Sequence, residues 1–204
     1  AAENAYFKKN TNTNEATTVS TIEGLSGQNI SQIYHSPTYQ KTLIGHNDGL
    51  LIVVNDIDGS MLNVVDIVNK PSVPPNKKKI NHFMEYNGKI YVSTDFGISV
   101  YDLNLLEFGD TYFIGAGGSN IEILQTTVYN GFIYAVTNGY GIQKAPITSP
   151  NLIDFNQWTM FAAGTWSSID KVGNELVANN LNSGQYKFTG NTPSLLTFYL
   201  QTPI

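Results

Sequence analysis

A repeat of 43 or 44 residues is the feature that most constrains the fold of this chain. The segment Tyr86–Tyr91, which reads YNGKIY, returns 43 positions later as Tyr129–Tyr134, which reads YNGFIY. The turn Phe96–Ile98 returns 44 positions later as Tyr140–Ile142. Weaker copies lie at Gly173–Val177 and Ser183–Gln185, at Asp48–Leu50, and at Glu3–Phe7. Near-constant spacing of one strand and turn pattern predicts a repeat architecture.

The clearest repeat unit predicts four short antiparallel strands. Asn87-Gly88 is a strong hairpin signal, because both residues tolerate the positive φ of a type I′ turn. The flanking runs are rich in β-branched and aromatic residues, which favour strands. The predicted strands are Ile80–Tyr86, Lys89–Thr94, Ile98–Asp102 and Thr111–Ile114. Four strands in about 45 residues are typical of one propeller blade.

The whole chain therefore predicts an all-β fold, a β-propeller of four-stranded antiparallel blades. We predict a single domain over 1–204, divided into an outer half blade (1–28) and four blades (29–75, 76–119, 120–164 and 165–204). The outer strands of the half blade and of the other three blades are predicted at Thr17–Ile22, Met61–Val68, Gln157–Phe161 and Leu195–Leu200. Because the first blade has only its outer half, we expect this arc of about four and a half blades to belong to a larger propeller, with sequence upstream and downstream.

Composition argues against two classes of function. The chain has a formal charge of −5, and all 11 basic residues are lysines. Specific recognition of phosphates and bases relies on the arginine fork, so we expect no nucleic-acid partner. The longest apolar run, Leu50–Val54, is too short to cross a bilayer. The absence of cysteine fits either a reducing compartment or a secreted protein.

Several segments resemble chemical motifs but lack the required pattern. Asn55–Ser60 has the acidic start of a calcium loop without its final Glu or its flanking helices, which favours an Asx-rich turn. Gly115–Ser119 lacks the spacing of a phosphate-binding loop and precedes a predicted strand. The three histidines, His35, His46 and His82, have no metal-ligand spacing.

Catalytic residues are not predicted. His82 lies on a predicted innermost strand, where a side chain can face the central channel, although a structural role is more common for such a histidine. The acids available there are Glu85, Glu122 and Asp170, and their positions in the repeat are not equivalent, which disfavours a glycosidase pair. We therefore predict a protein that is not an enzyme, with neither a cofactor nor a metal.

One face of the propeller is the predicted binding site. In a propeller, the connections between blades open on the same side as the turns between second and third strands. The predicted ligand-binding residues on this loop face are Lys77, Lys78, Lys79, Asp48, Asp95, Phe96 and Tyr140. Binding sites favour loops on a rigid scaffold. Three lysines beside Asn, Asp, Tyr and Phe would suit sugars or an acidic polysaccharide.

The sequence of the repeats also resembles that of known protein families. Lys89–Thr94 and Asp95–Leu103 are similar to the two-component-regulator propeller repeats of Bacteroidota. More closely, Glu3–Phe7, Gly24–Ser31 and Ser93–Gly97 resemble the PorZ-type N-terminal propellers of the type IX secretion system. The similarity covers nearly the whole chain and is weakest after Gly164.

The resemblance implies a non-enzymatic scaffold or binding module in the attachment complex of that secretion system. It implies a seven-bladed parent propeller in an exported protein of the cell surface or outer membrane. Its implied partners are other secretion-system surface proteins and an anionic lipopolysaccharide. The alternative is a periplasmic, glycan-sensing propeller of a hybrid two-component regulator.

Overall fold

The structure is a computed structural model that describes residues 4–9, 11–27 and 29–198. Predictions for 1–3, Asn10, Gln28 and 199–204 lie outside the described residues, including the end of the strand predicted at Leu195–Leu200.

The described residues form one two-stranded and four four-stranded antiparallel sheets, each a simple meander. The half blade consists of β1 (Ala5–Lys9) and β2 (Ala16–Ser20). Blade 1 consists of β3 (Ile30–Ser36), β4 (Lys41–His46), β5 (Leu51–Asn55) and β6 (Met61–Val64). Blade 2 consists of β7 (Ile80–Tyr86), β8 (Lys89–Thr94), β9 (Gly97–Asp102) and β10 (Glu107–Tyr112). Blade 3 consists of β11 (Ile123–Tyr129), β12 (Phe132–Thr137), β13 (Gly141–Pro146) and β14 (Thr159–Ala162). Blade 4 consists of β15 (Trp166–Val172), β16 (Glu175–Asn180), β17 (Gly184–Thr189) and β18 (Thr192–Phe198).

The hairpins that define the repeat form as the sequence predicts. Asn87 and Gly88 both have positive φ, 51° and 75°, as a type I′ turn requires. Asn130 and Gly131 repeat this geometry at 46° and 79° in blade 3. These two-residue turns fix the register of the first and second strands. The all-β propeller prediction is confirmed.

The outer strands differ from the prediction. In blade 2 the fourth strand is Glu107–Tyr112 rather than Thr111–Ile114, and its register shifts between Phe108 and Thr111. In blade 1 it stops at Val64 instead of continuing to Val68. An outer strand has one free edge and polar residues, so its hydrophobic period is weak and its limits are poorly predicted.

Two further outer-strand limits also shift. In blade 3 the fourth strand is Thr159–Ala162, two residues later at its start than predicted. In the half blade the strand predicted at Thr17–Ile22 ends at Ser20. Ser20 caps a short 3-10 helix over Thr21–Glu23, and the Glu23 side chain accepts from the Ser20 backbone in a capping box.

Neighbouring blades pack face to face around their first strands. The first strands β3, β7, β11 and β15 contact one another in sequence and so form the inner wall of the arc. Between blades 2 and 3, Ile98 and Val100 pack with Ile133 and Trp158 in one buried cluster. The core is thus a series of seams between blades, which holds the loops on each side of the arc in fixed positions.

Each inner strand carries the same irregularity near its start. The register between first and second strands shifts at Ile30/Gln32, Ile80/His82, Ile123/Gln125 and Trp166/Ser168. A bulge of this kind bends and twists a strand locally. Its recurrence shows that the four blades share detailed backbone geometry in addition to strand order.

Candidate functional site

The loop face is held together by one backbone hydrogen bond that recurs in every blade. The N–H that follows each second strand donates to the carbonyl just before the first strand of the same blade. The bonds are Asn47 to Asn29 at 3.1 Å, Asp95 to Lys79 at 3.2 Å, Asn138 to Glu122 at 3.0 Å and Leu181 to Thr165 at 3.0 Å. Each turn between second and third strands therefore lies against a connection between blades.

Two of the three predicted lysines are exposed on this face. Lys77 ends the short 3-10 helix Pro75–Lys77, and Lys79 comes directly before β7. Lys78 is instead buried, with 7% of its surface exposed, and its Nζ donates to the Val68 carbonyl oxygen at 2.5 Å. Lys78, predicted as a ligand-binding residue of the loop face, is therefore not exposed there, because its amine donates to a carbonyl of the preceding loop.

The two predicted aspartates both accept hydrogen bonds from other groups of the protein. Asp48 is exposed, and its Oδ1 accepts from the Leu50 N–H at 3.0 Å in an Asx turn. Asp95 is half-buried and accepts from Asn81 Nδ2 at 2.9 Å. The same Asn81 nitrogen donates to the Ile123 carbonyl oxygen at 3.1 Å, which ties blade 2 to blade 3. Asp95 is therefore part of a contact between blades at the edge of the loop face.

The two predicted aromatic residues differ in location. Tyr140 is 68% exposed on the loop face. Phe96 has no exposed surface, and its ring centroid lies 6.1 Å from that of Phe113. The prediction that Phe96 belongs to the binding surface is wrong because the turn directs its ring into the core. The exposed members of the predicted site are Lys77, Lys79, Asp48 and Tyr140, with Asp95 partly exposed.

The inner wall is the second place where polar groups converge. Tyr34 donates to Glu85 at 3.2 Å, and Thr127 donates to Asp170 at 3.0 Å, each across a seam between blades. Burial, and after it the Glu85 carboxylate, raises the pKa of Tyr34 to about 12, so this hydroxyl stays protonated and can donate. These bonds connect adjacent inner strands, and we assign them a role in packing.

His82 lies on the same wall and is partly buried. Burial lowers the pKa of His82, and the Asp170 charge opposes that effect. The imidazole is therefore neutral near pH 7. Within the described ranges, no group of three or more His, Asp or Glu side chains is arranged to hold a metal ion.

The segment that resembles a calcium loop forms a turn. Asn55 Oδ1 accepts from the Ile57 N–H at 3.2 Å, and Asp58 Oδ1 accepts from the Ser60 N–H at 2.9 Å. The hydrogen bonds that the backbone and the side chain of Ser60 donate to Asp58 lower the pKa of its carboxyl group. The predicted Asx-rich turn is confirmed.

Membrane insertion through a helix finds no support in the described part of the chain, where no helix is long and apolar enough to cross a bilayer.

Comparisons of structure identify propellers as relatives in fold. PorZ, a surface component of the type IX secretion system of Porphyromonas gingivalis, superposes with a TM-score of 0.77 at 19% identity, over 97% of this chain and 26% of that one. The extracellular domain of a one-component system from B. thetaiotaomicron gives 0.62 at 14% identity, over 93% and 25%. Dihydro-heme d1 dehydrogenase NirN gives 0.66 at 8% identity, over 96% and 41%. At these identities the similarity shows the fold alone.

Comparison of sequence identifies the family. No curated protein matches this chain. The chain spans about a quarter of the PorZ protein that it matches, because the superposition covers 26% of the PorZ chain. The family model described as the type IX secretion (TSS9) PorZ N-terminal β-propeller domain matches residues 1–159, well over half of the sequence. The chain belongs to the PorZ N-terminal β-propeller family.

Proposed function

We propose that this propeller is a non-enzymatic binding module in the surface attachment complex of a type IX secretion system. The observation that carries the proposal is membership of the PorZ N-terminal propeller family over residues 1–159. On this proposal the protein is exported and acts at the cell surface or outer membrane. Its partners are other surface proteins of the secretion system and an anionic lipopolysaccharide.

We assign the contact with the anionic partner to the loop face. Lys77 and Lys79 are exposed there, while the chain as a whole carries a formal charge of −5. A local basic site on an acidic domain attracts an anion by charge and loses affinity as salt screens it. Tyr140 offers an exposed ring on the same face, which suits a sugar or an apolar side chain of a partner.

A glycan array that includes purified anionic lipopolysaccharide tests this function on the intact protein. We expect binding to that lipopolysaccharide that is lost at high salt and is weakened in the double variant Lys77→Ser, Lys79→Ser. Lys89→Ser is the matched control, because Lys89 is exposed at the start of β8, on the opposite side of the blade. Equal binding by wild type and double variant at low salt would remove the loop face from the proposal.

A second function is favoured by one observation. The fold matches the extracellular domain of a one-component system with a TM-score of 0.62. A periplasmic propeller of a hybrid two-component regulator would sense short glycans in place of lipopolysaccharide. Binding to short neutral or sulfated oligosaccharides on the same array, without lipopolysaccharide binding, would favour this alternative.

A further inference from the structure

A single position in the repeat changes from valine to lysine along the chain. The position lies on the third strand of each blade. Its residues in blades 1 to 4 are Val53, Val100, Lys144 and Lys187. They pair with the second-strand residues Leu43, Tyr91, Tyr134 and Val177, respectively. Val53 and Val100 are 4% and 5% exposed and close the seams that follow blades 1 and 2. A lysine at such a position buries less apolar surface than the valine of blades 1 and 2, which indicates that the lysine has a role other than packing.

Lys144 borders an open groove between blades 3 and 4. The groove has a volume of about 510 Å³ and is lined by Phe132, Lys144, Asn174, Glu175, Lys187 and Asn191, among others. It includes the Asn130 and Asn174 turns, which join first to second strands, and it therefore opens on the side opposite the loop face. The volume is in the range of small-ligand sites.

The charge of Lys144 is not balanced by an acid. Its Nζ lies 4.9 Å from the Phe132 ring centroid and 5.1 Å from that of Phe161, and it donates to Asn191 Oδ1 at 3.0 Å. Among the described residues, no carboxylate lies within ion-pair distance of this ammonium. The second lysine of the groove, Lys187, is paired with Glu175. The groove therefore has one lysine charge in excess, partly shielded from water by aromatic rings.

The remaining lining determines which anion fits. Asn130, Asn174 and Asn191 are exposed and present amide donors and acceptors at the rim, and Thr189 adds a hydroxyl. Amides at this density suit a ligand rich in hydroxyl groups, and the Phe132 ring suits the apolar face of a sugar. We infer that the groove between blades 3 and 4 binds an acidic sugar, whose carboxylate pairs with Lys144 and whose hydroxyls meet the rim amides.

Isothermal titration calorimetry of the intact protein with digalacturonic acid tests this site. Its neutral counterpart is galactobiose, which has the same ring type without the carboxylates. We expect binding of the acidic disaccharide to be at least about tenfold tighter than that of the neutral one. Lys144→Val, the residue that blades 1 and 2 already have, should fold and should lose at least about tenfold in affinity.

Asn191→Asp provides a second variant without loss of the lysine. It places a carboxylate beside the Lys144 ammonium and should weaken binding of the acidic disaccharide while leaving the thermal midpoint close to that of wild type. The double variant Lys77→Ser, Lys79→Ser should bind digalacturonic acid like wild type, so failure of the loop face and failure of this groove are distinguishable.

Three results would overturn the inference. The first is that wild type does not bind millimolar disaccharide. The second is that folded Lys144→Val binds the acidic disaccharide with the same affinity as wild type. The third is that hexaglutamate binds as tightly as the sugar and that Lys144→Val loses affinity for both to the same extent. The last result would assign the groove to an acidic peptide.

Discussion

Blades 2 and 3 build the turn between their second and third strands from the same parts. In both, a buried threonine ends the second strand, and its hydroxyl donates to the carbonyl of a glycine that begins the third. Thr94 Oγ1 donates to the Gly97 oxygen at 2.8 Å, and Thr137 Oγ1 donates to the Gly141 oxygen at 2.8 Å. The anchor of the turn is therefore the same in the two blades.

The aromatic residues inside these two turns differ in burial. Two residues separate the anchors in blade 2, and three in blade 3, where Gly139 adds a left-handed position at φ 79°. Phe96 in the shorter turn has no exposed surface, whereas Tyr140 in the longer one is 68% exposed. One extra residue thus separates a turn whose aromatic ring packs in the core from a turn whose ring is exposed to solvent.

The largest expected effect is that of removing the buried ring. Phe96→Ala leaves a cavity beside Phe113, and losses of this kind cost about 3–5 kcal/mol of unfolding free energy. Chemical denaturation of wild type and variant measures the difference. A loss below about 1 kcal/mol would mean that the shorter turn does not bury its ring in solution.

The next largest loss of stability is expected from substitutions of the glycines that begin the third strands. A Cβ on Gly97 would lie 2.4 Å from the Tyr112 carbonyl oxygen, and one on Gly141 would lie 2.4 Å from that of Ala162. Both glycines also have positive φ, 155° and 83°. Gly97→Val and Gly141→Val should each lose more than about 1 kcal/mol.

Thermal midpoints of the two valine variants measure this effect, with Gly109→Ala as a control, since the nearest atom to a Cβ there, the Val100 carbonyl oxygen, would be 3.9 Å away and φ is not positive. Unchanged midpoints in both valine variants would show that the common anchor does not need glycine. A loss in one blade only would show that the anchors are less alike than their hydrogen bonds indicate.

Lys78 and Lys79 extend the contrast between buried and exposed residues to the connection beside the blade 2 turn. Lys78→Ala removes a buried stem and leaves the Val68 carbonyl without its donor, and should cost about 1–2 kcal/mol. Lys79→Ala removes an exposed side chain and should change stability by less than about 0.5 kcal/mol. Urea titrations of both variants test the contrast, and equal losses would contradict it.

These contrasts also show how far the sequence alone predicts the molecule. The hairpins with Asn-Gly turns were predictable because their backbone chemistry is local, and their spacing predicted the propeller. The outer strand Glu107–Tyr112 was misplaced because one free edge and a register shift weaken its pattern. The burial of Phe96 depends on turn length, which the change of offset from 43 to 44 residues records without showing where the ring points. The burial of Lys78 depends on a contact with one carbonyl oxygen, which a repeat alignment does not encode.

The Lys144 groove was missed for a different reason. Its signal, a lysine in place of Val100, is present in the repeat, because the offset of 44 residues that aligns Gly97 with Gly141 also aligns Val100 with Lys144. The sequence does not show that Phe132, Phe161 and Asn191 surround the ammonium. Those contacts depend on strand register and on the packing of neighbouring blades, which the spacing of turns does not define.

The smallest expected effect on stability belongs to the exposed ring and is the most informative for function. Tyr140→Ala should change the unfolding free energy by less than about 0.5 kcal/mol, because 68% of the residue is already in water. If the loop face binds a partner, the same variant should weaken lipopolysaccharide binding without changing its dependence on salt, since the ring carries no charge. Surface plasmon resonance at two salt concentrations separates this effect from that of Lys77→Ser, Lys79→Ser, which should reduce the salt dependence itself. Unchanged binding by Tyr140→Ala would mean that the longer turn of blade 3 exposes its ring for another purpose, and would confine the contact to the lysines.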